Sequence, residues 1–492
     1  MLLTLAFRHL WVRKLRSLFL LLGFALGVGV MVVLLSVGEA MVDQSRDVSL
    51  VGGGEITVLP QGIDVEAMRT GGLSGMFFAI DRARFLTRQV IGGPRNAALV
   101  RTVAPTIESK LLYLCKATAE CRPTPVRAGG EIPSRAAALG AAPSVRQGSW
   151  RDSPADSAYI APTRQQLYDE LDRFHRPPRA DSSWGEWHYF NLTTGPNEWW
   201  YVTFLVGGEV GAAPGESGRW GGRMLVTHRR PDGRYGRFTA DAPAAAVRFD
   251  TTRADLSIGA STVRQREGVY YLDARAAGTA GDVRLELELR PLANRYFPPV
   301  ELRDEDFLSG YVVPALAGSA SGRLCVSDRC ARVTGAPAYH DHNWGVWRDV
   351  TWEWGAARGQ ALSLLYGGVY GPRRMDDDAG QAATSPFFLA LVDSLGVSQV
   401  LRFGKIAYEG SQPASGVPGE VAPRRFRLLA TRGTDSVALA VEVEHALATE
   451  MSANSFRRLF LQLRGRFSLI GRVAGTQVSD SGRGFFETYR TR

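Results

Sequence analysis

Polar and apolar residues alternate in short runs through the C-terminal two thirds of the chain. Residues 283–289 read Val-Arg-Leu-Glu-Leu-Glu-Leu, and 439–443 and 459–463 repeat the period. A period of two puts every second side chain on the same face of a β-strand. Residues 185–192 and 198–206 add aromatic-rich strands. Turn signals separate the runs at Pro231-Asp232-Gly233, Gly367-Gly368, Gly371-Pro372 and Asp480-Ser481-Gly482. Many short strands with regular turns predict a mainly β chain of antiparallel barrels or sandwiches. Roughly 300 residues are too many for one small barrel, so two are expected in tandem, 163–310 and 311–492. Tyr296-Phe297-Pro298-Pro299 precedes the division. A weak echo, Trp184-Gly185-Glu186-Trp187 against Trp344-Gly345-Val346-Trp347, lies near the start of each half.

The pattern changes upstream. Residues 18–38 carry no charge, and about 20 helical residues cross a bilayer core. Arg8, Arg13, Lys14 and Arg16 precede the run; Glu39 and Asp43 follow it. This predicts a cytoplasmic stub (1–17), one transmembrane helix (18–38) in the inner membrane, and a periplasmic remainder. A cleaved signal peptide would have a shorter apolar core and a better small-x-small site than Gly38-Glu39-Ala40. A small mixed α/β stub follows (39–120), with a strand at 55–59 and a helix at 80–90. Residues 121–162, rich in Pro, Ala, Gly and Ser, read as a linker. Thr163 is the expected N-cap of a helix over 163–175, with Leu167, Leu171 and Phe174 on one side and Pro177-Pro178 ending it.

Composition narrows the partners. The 492 residues are 45% apolar and 22% charged, ordinary for folded domains. The net charge of +9 is almost all arginine, lysine occurring only at 14, 110, 116 and 405. The arginines form no stripe beyond the N-terminus, so no nucleic-acid partner is expected. No Gly-x-x-x-x-Gly-Lys-Ser/Thr loop is present, so the chain is not an ATPase. Four cysteines allow three pairings; the two local ones, Cys115 with Cys121 and Cys325 with Cys330, are expected on the oxidising side of the membrane.

Candidate chemistry gathers in aromatic clusters at 184–191, 198–201 and 339–354. By alternation Glu186, His188 and Phe190 face one way, and Trp187, Tyr189 and Asn191 the other. His340, His342 and Trp344 share a face and Asp341 points away from it. A buried Glu or His among such rings must be paired or functional. His340 and His342 could share a metal only with a third ligand, so no metal and no cofactor is expected. Asn191-Leu192-Thr193 matches a glycosylation sequon but lies within a predicted strand.

Two resemblances follow from these residues. Ala6-Phe7-Arg8-His9-Leu10, Arg13-Lys14-Leu15-Arg16-Ser17, Gly23-Phe24-Ala25-Leu26-Gly27-Val28 and Leu35-Ser36-Val37-Gly38-Glu39 make the N-terminus resemble FtsX/MacB-type ABC-transporter permeases. That implies an anchor and ABC-transporter permease or ATPase partners; the later spans of those permeases are missing here. Glu198-Trp199-Trp200-Tyr201, Tyr339-His340-Asp341-His342-Asn343-Trp344-Gly345 and Gly484-Phe485-Phe486-Glu487 resemble the AttH/carotenoid 1,2-hydratase (CrtC, hydroxyneurosporene synthase) family over about 165–492.

The second resemblance implies two lipocalin-like barrels with an apolar pocket near their junction. In the hydratase members water adds across a carbon–carbon double bond. His342 and Trp344 match the family's His-x-Trp element, to which catalysis is assigned. A Tyr-x-Asp element is represented by Tyr366 without its carboxylate, for which Asp341 or Glu353 would substitute. Glu186, Trp187, His188, Glu198, Trp199, Trp200, Tyr201, His340, Trp352 and Trp354 are the expected ligand-binding side chains. The expectation is a membrane-anchored protein that binds a lipophilic small molecule beside an ABC transporter. The alternative is a hydratase or isomerase acting on an isoprenoid or lipid. The missing carboxylate favours the first, the intact His-x-Trp the second.

Overall fold

The computed structural model describes residues 14–46, 80–115, 124–139, 151–175, 184–207, 221–304, 307–346, 351–370, 387–453 and 456–491. The chain divides into two units, Met1–Ile91 with Val100–Ala161, and Gly92–Leu99 with Pro162–Arg492.

In the first unit one helix, Lys14–Arg46, contains the uncharged run and exposes Leu22, Phe24, Leu26, Val30 and Leu34. Among the described residues no helix is long and apolar enough to cross a membrane. The helix expected at 80–90 is present as Ile80–Gly92; the strand expected at 55–59 lies outside the described residues. The expected linker carries structure. Thr124–Glu131 pairs antiparallel with Thr106–Leu114, and helices span Pro133–Leu139 and Pro154–Ile160. Ser153 and Asp156 form a reciprocal capping box that starts the last helix, a signal that composition alone hides. Cys115 is disulfide-bonded; Cys121, Trp347 and Gly371-Pro372 lie outside the described residues.

The second unit is built on two large antiparallel sheets. The first begins with the meander Trp184–Gly195, Glu198–Gly207, Gly221–Arg229, Tyr235–Pro243. It continues through Val269–Gly278, Gly281–Pro291, Phe307–Val326 and Arg329–Val346. The last strand pairs back with the first, with His342 opposite His188, and Ala277 meets Thr239, so the ladder returns on itself. The second sheet runs through Thr351–Gly359, Ser363–Tyr370, Phe388–Asp393, Gly396–Arg402, Arg425–Arg432, Asp435–Ala453, Phe456–Val473 and Thr476–Thr491. It also returns on itself, through Arg402 opposite Thr431.

Alternation decides which residues fill the three largest apolar layers among the described residues. Phe190, Leu192, Trp200, Phe204, Leu285 and Leu287 fill the first sheet's interior. Tyr366, Phe426, Leu439, Val441, Leu461 and Phe486 fill the second's. The opposite faces of both sheets meet in a third layer that includes Tyr189, Trp199, Tyr201, Tyr311, Trp354 and Phe485.

Two expectations are corrected. The change of sheet falls between Val346 and Thr351, not at 310/311, so the 339–345 strand belongs to the first sheet. The reason is the long hairpin Phe307–Val326/Arg329–Val346, closed by the Cys325–Cys330 disulfide, which continues the first sheet from Gly281–Pro291. Gly367-Gly368 and Asp480-Ser481-Gly482 lie inside strands rather than at turns. Gly367 leaves room for the Trp354 indole, which a Cβ there would strike. Pro231-Asp232-Gly233 does turn, with Gly233 at φ +86°.

Candidate active site

A capping box starts the helix Arg164–Leu171: Thr163 Oγ1 accepts from the Gln166 backbone, and Gln166 Oε1 accepts from the Thr163 backbone. The helix stops well before Pro177 because Asp172 turns extended, at φ −143° and ψ 118°. Its carboxylate enters the first sheet's interior, where it meets side chains from three strands. Asp172 Oδ1 lies 2.5 Å from His342 Nδ1, and Oδ2 accepts from the Tyr270 hydroxyl. His342 Nε2 lies 3.0 Å from Glu186 Oε1, an ion-pair contact without hydrogen-bond alignment. Glu186 accepts from the backbone and the ring of His175, each at 2.9 Å. His175 stacks on Trp344 at 3.9 Å.

Asp172, Glu186, His188, His340 and His342 are all shut off from solvent. Burial disfavours the His342 cation, but Asp172 and Glu186 outweigh it and raise its pKa to about 9. The same pairing holds Asp172 well below the usual carboxylate range despite its burial. Burial, with the neighbouring His342 charge, holds His188 and His340 below the usual histidine range, so both are neutral at pH 7.

A second polar group lies on the other face of the same strand, in the layer between the sheets. Tyr339 donates to Asp341 Oδ2 at 2.7 Å, Asn343 donates to Oδ1 at 2.6 Å, and Trp354 Nε1 donates to the Tyr339 hydroxyl at 3.0 Å. Glu487 stands opposite Trp354 in the neighbouring strand and accepts from Gln462 at 3.3 Å. Its carboxyl is enclosed although the residue keeps partial exposure. Burial raises Asp341 to about 7, against the hydrogen bonds from Tyr339 and Asn343 and the His342 charge. Burial and the Asp341 charge raise Glu487 to about 8. Arg464 donates to Tyr201 at 3.1 Å and to Thr193 at 2.9 Å, with its guanidinium 4.8 Å from the Trp199 ring.

The structure therefore splits the expected site. Glu186, His188, His340 and His342 come together inside the first sheet, with Trp344 beside His175. Asp341, Trp187, Trp199, Tyr201, Trp352 and Trp354 line or flank the intersheet layer. Tyr366 is not in either group: it lies in the second sheet's interior, stacked on Phe486. Glu353 accepts from Tyr408 at 2.6 Å and Thr488 at 3.0 Å, so it does not replace a carboxylate beside His342. Trp200 stacks on His228 at 3.5 Å, and His228 pairs with Glu198 at 2.9 Å. A concavity of about 480 Å³, lined by Ala242, Ile258, Ser261 and Ala276 among others, shares no residue with either group. Asp172, His175, Tyr270, Glu487 and Arg464 were not legible as site residues. Only Glu487, at the end of Gly484-Phe485-Phe486-Glu487, sat in a motif that could have signalled it.

No protein-family model matches the chain, and no curated protein matches it in sequence. Among solved structures, one from Nitrosomonas europaea described as AttH is 16% identical, covering 62% of this chain and 92% of its own, with a TM-score of 0.43. CghA with Sch210972 is 12% identical over 62% of this chain and 87% of its own, TM-score 0.44. Kievitone hydratase from Nectria haematococca is 14% identical over 62% and 88%, TM-score 0.40. At these values the similarities carry no inference about chemistry.

Proposed function

We propose that the chain is a hydro-lyase that adds water across a carbon–carbon double bond of an isoprenoid or other apolar substrate, in the layer between the two lipocalin-like barrels. One observation carries this reading: Asp341 and Glu487 share one aromatic layer and are both held toward the protonated form. Burial raises both, and the Asp341 charge adds to the rise at Glu487. Protonated Glu487 delivers its proton to one alkene carbon. The cation left on the other carbon faces the rings of Tyr189, Tyr201 and Trp354. Ionised Asp341 takes a proton from water as the water oxygen bonds to that carbon. The net change is addition of one water, and the carboxyl pair resets by proton exchange.

Glu487 supplies the carboxylate that Tyr366 lacks beside it in sequence, so this reading displaces that of a lipid carrier. His342 and Trp344 are then positioning residues: they hold the strand from its other face, and the His342 charge favours ionised Asp341. The uncharged run at 18–38, basic before and acidic after, supports a tether that keeps the enzyme where apolar substrates concentrate; resistance of the full chain to carbonate extraction from membranes tests that. For the chemistry, the full chain is incubated with acyclic isoprenoids in ¹⁸O-water. The expected product carries one ¹⁸O, and Glu487→Gln and Asp341→Asn each lower its rate at least 100-fold; full activity in both variants overturns the proposal.

A further inference from the structure

Asp172, His188 and His340 come from three separate elements, and each offers one ligand atom within 4.8 Å of the others. The His340 tautomer is set by its surroundings. Its Nδ1 lies 3.0 Å from the Tyr189 carbonyl, which can only accept, so Nδ1 carries the proton. With that proton on Nδ1, His340 Nε2 is the ring atom that can ligate, and it lies 3.6 Å from Asp172 Oδ2. Nε2 of His340 and both ring nitrogens of His188 have no hydrogen-bond partner, although both side chains are fully buried. The Ala254 carbonyl attracts a His188 N–H without reaching hydrogen-bond geometry.

We propose that Asp172, His188 and His340 form a binding site for a divalent first-row transition ion, with Zn²⁺ as its simplest occupant. Two imidazoles and one carboxylate are a donor set that such ions accept, with a fourth position left for water. The separation of His340 Nε2 and Asp172 Oδ2 is close to the roughly 3.3 Å edge of a tetrahedron with bonds of about 2.0 Å. The outer partners are in place: the Tyr189 carbonyl orients His340, and Tyr270 and His342 hold Asp172. The sequence showed His340-x-His342 and no third ligand. The fold turns His340 toward His188 and brings in Asp172, while His342 pairs with carboxylates instead. The site lies on the opposite face of the strand from Asp341 and does not need the hydratase reading, although Asp172 links it to His342.

The test is equilibrium dialysis of the detergent-solubilised full chain against Zn²⁺, with metal content read by mass spectrometry and thermal stability measured in parallel. The expected result is about one Zn²⁺ per chain and a higher Tm with Zn²⁺. His188→Gln and His340→Gln each lose the ion and the Tm response, whereas His228→Gln retains both. Less than one tenth of an equivalent in the wild-type chain overturns the site whether or not the variants fold. So does equal loss in His228→Gln.

Discussion

His342 Nδ1 lies 2.5 Å from Asp172 Oδ1, across 170 positions of sequence, with neither side chain open to solvent. The pair fastens a helix end to the inside of a sheet. Removing one member leaves the other buried without its partner, which typically costs about 3–5 kcal/mol. Asp172→Asn should therefore lower the urea midpoint by that equivalent, and Asp172→Asn/His342→Phe should recover part of the loss. The sign with pH follows from the two pKa values. His342 is raised from 6.5 to about 9, so its contribution is full below 6.5 and is lost as pH rises through about 9. Asp172 is lowered from 3.8, so its contribution is present above 3.8 and is lost as pH falls through its folded value. The midpoint difference between wild type and Asp172→Asn should be widest between these limits and narrow above pH 9. A difference that does not change up to pH 10 would remove the ion pair as its cause.

Asp341 and Glu487 have the opposite effect on stability. Each is raised, so the unfolded chain ionises them at lower pH than the folded chain. For Glu487 the cost grows from about pH 4.5 and is complete above about 8, rising by about 1.4 kcal/mol for each pH unit between them. Glu487→Gln should be more stable than wild type at pH 8.5, by several kcal/mol, and nearly equal to it at pH 4. The same substitution should flatten the pH–rate profile of the hydration reaction. Wild type should give a bell with limbs near pH 7 and pH 8, set by Asp341 and Glu487. Stability and rate measured on one preparation check both, and a variant that gains no stability at pH 8.5 would show that Glu487 is not held protonated.

These two groups show what was legible. Period two correctly put His340 and His342 on one face and Asp341 on the other, and it separated Glu186 and His188 from Trp187 and Tyr189. It could not say which face was an interior and which an intersheet layer, because both are apolar and aromatic here. Asp172 was hidden because its role depends on where a helix ends, and Pro177-Pro178 is a stronger local stop signal than the actual one. Glu487 was hidden by distance: its motif at 484–487 marks the residue, but its place in the layer with Asp341 depends on the pairing of Thr476–Thr491 with Thr351–Gly359. The sheet boundary failed for a similar reason. Proline and aromatic content at 296–299 resembles a domain edge, but the pairing of Phe307–Val326 with Gly281–Pro291 carries the first sheet past it.

The Cys325–Cys330 bond closes a short loop at the tip of the long hairpin. For a loop of that length the entropy removed from the unfolded chain corresponds to about 2 kcal/mol. Cys325→Ser/Cys330→Ser should lower stability by no more than this and leave the urea slope unchanged, because the hairpin is held independently by its neighbours. Loss of the whole cooperative transition would show that the bond is needed for the sheet to form.

Gly310 faces Trp344 across the hairpin, and a Cβ at Gly310 would fall inside the indole ring. The indole cannot simply move away. It is buried, stacked on His175, and donates to Glu301 at 3.3 Å. Gly310→Ala should therefore cost about 1–3 kcal/mol through overpacking. It should also shift Trp fluorescence, since displacing Trp344 breaks its stack with His175. Gly195→Ala is the control: its Cβ would meet only the Glu198 side chain, at 3.5 Å from Cβ and 3.9 Å from Oε2, ordinary contacts, and should stay within about 0.5 kcal/mol. Because His175 also holds Glu186 at His342, the displacement should carry into the buried cluster. The His342 imidazole resonance should titrate lower in Gly310→Ala than in wild type, because Glu186 helps to raise it. An unchanged titration together with lost stability would confine the effect to packing and uncouple Trp344 from the histidine cluster.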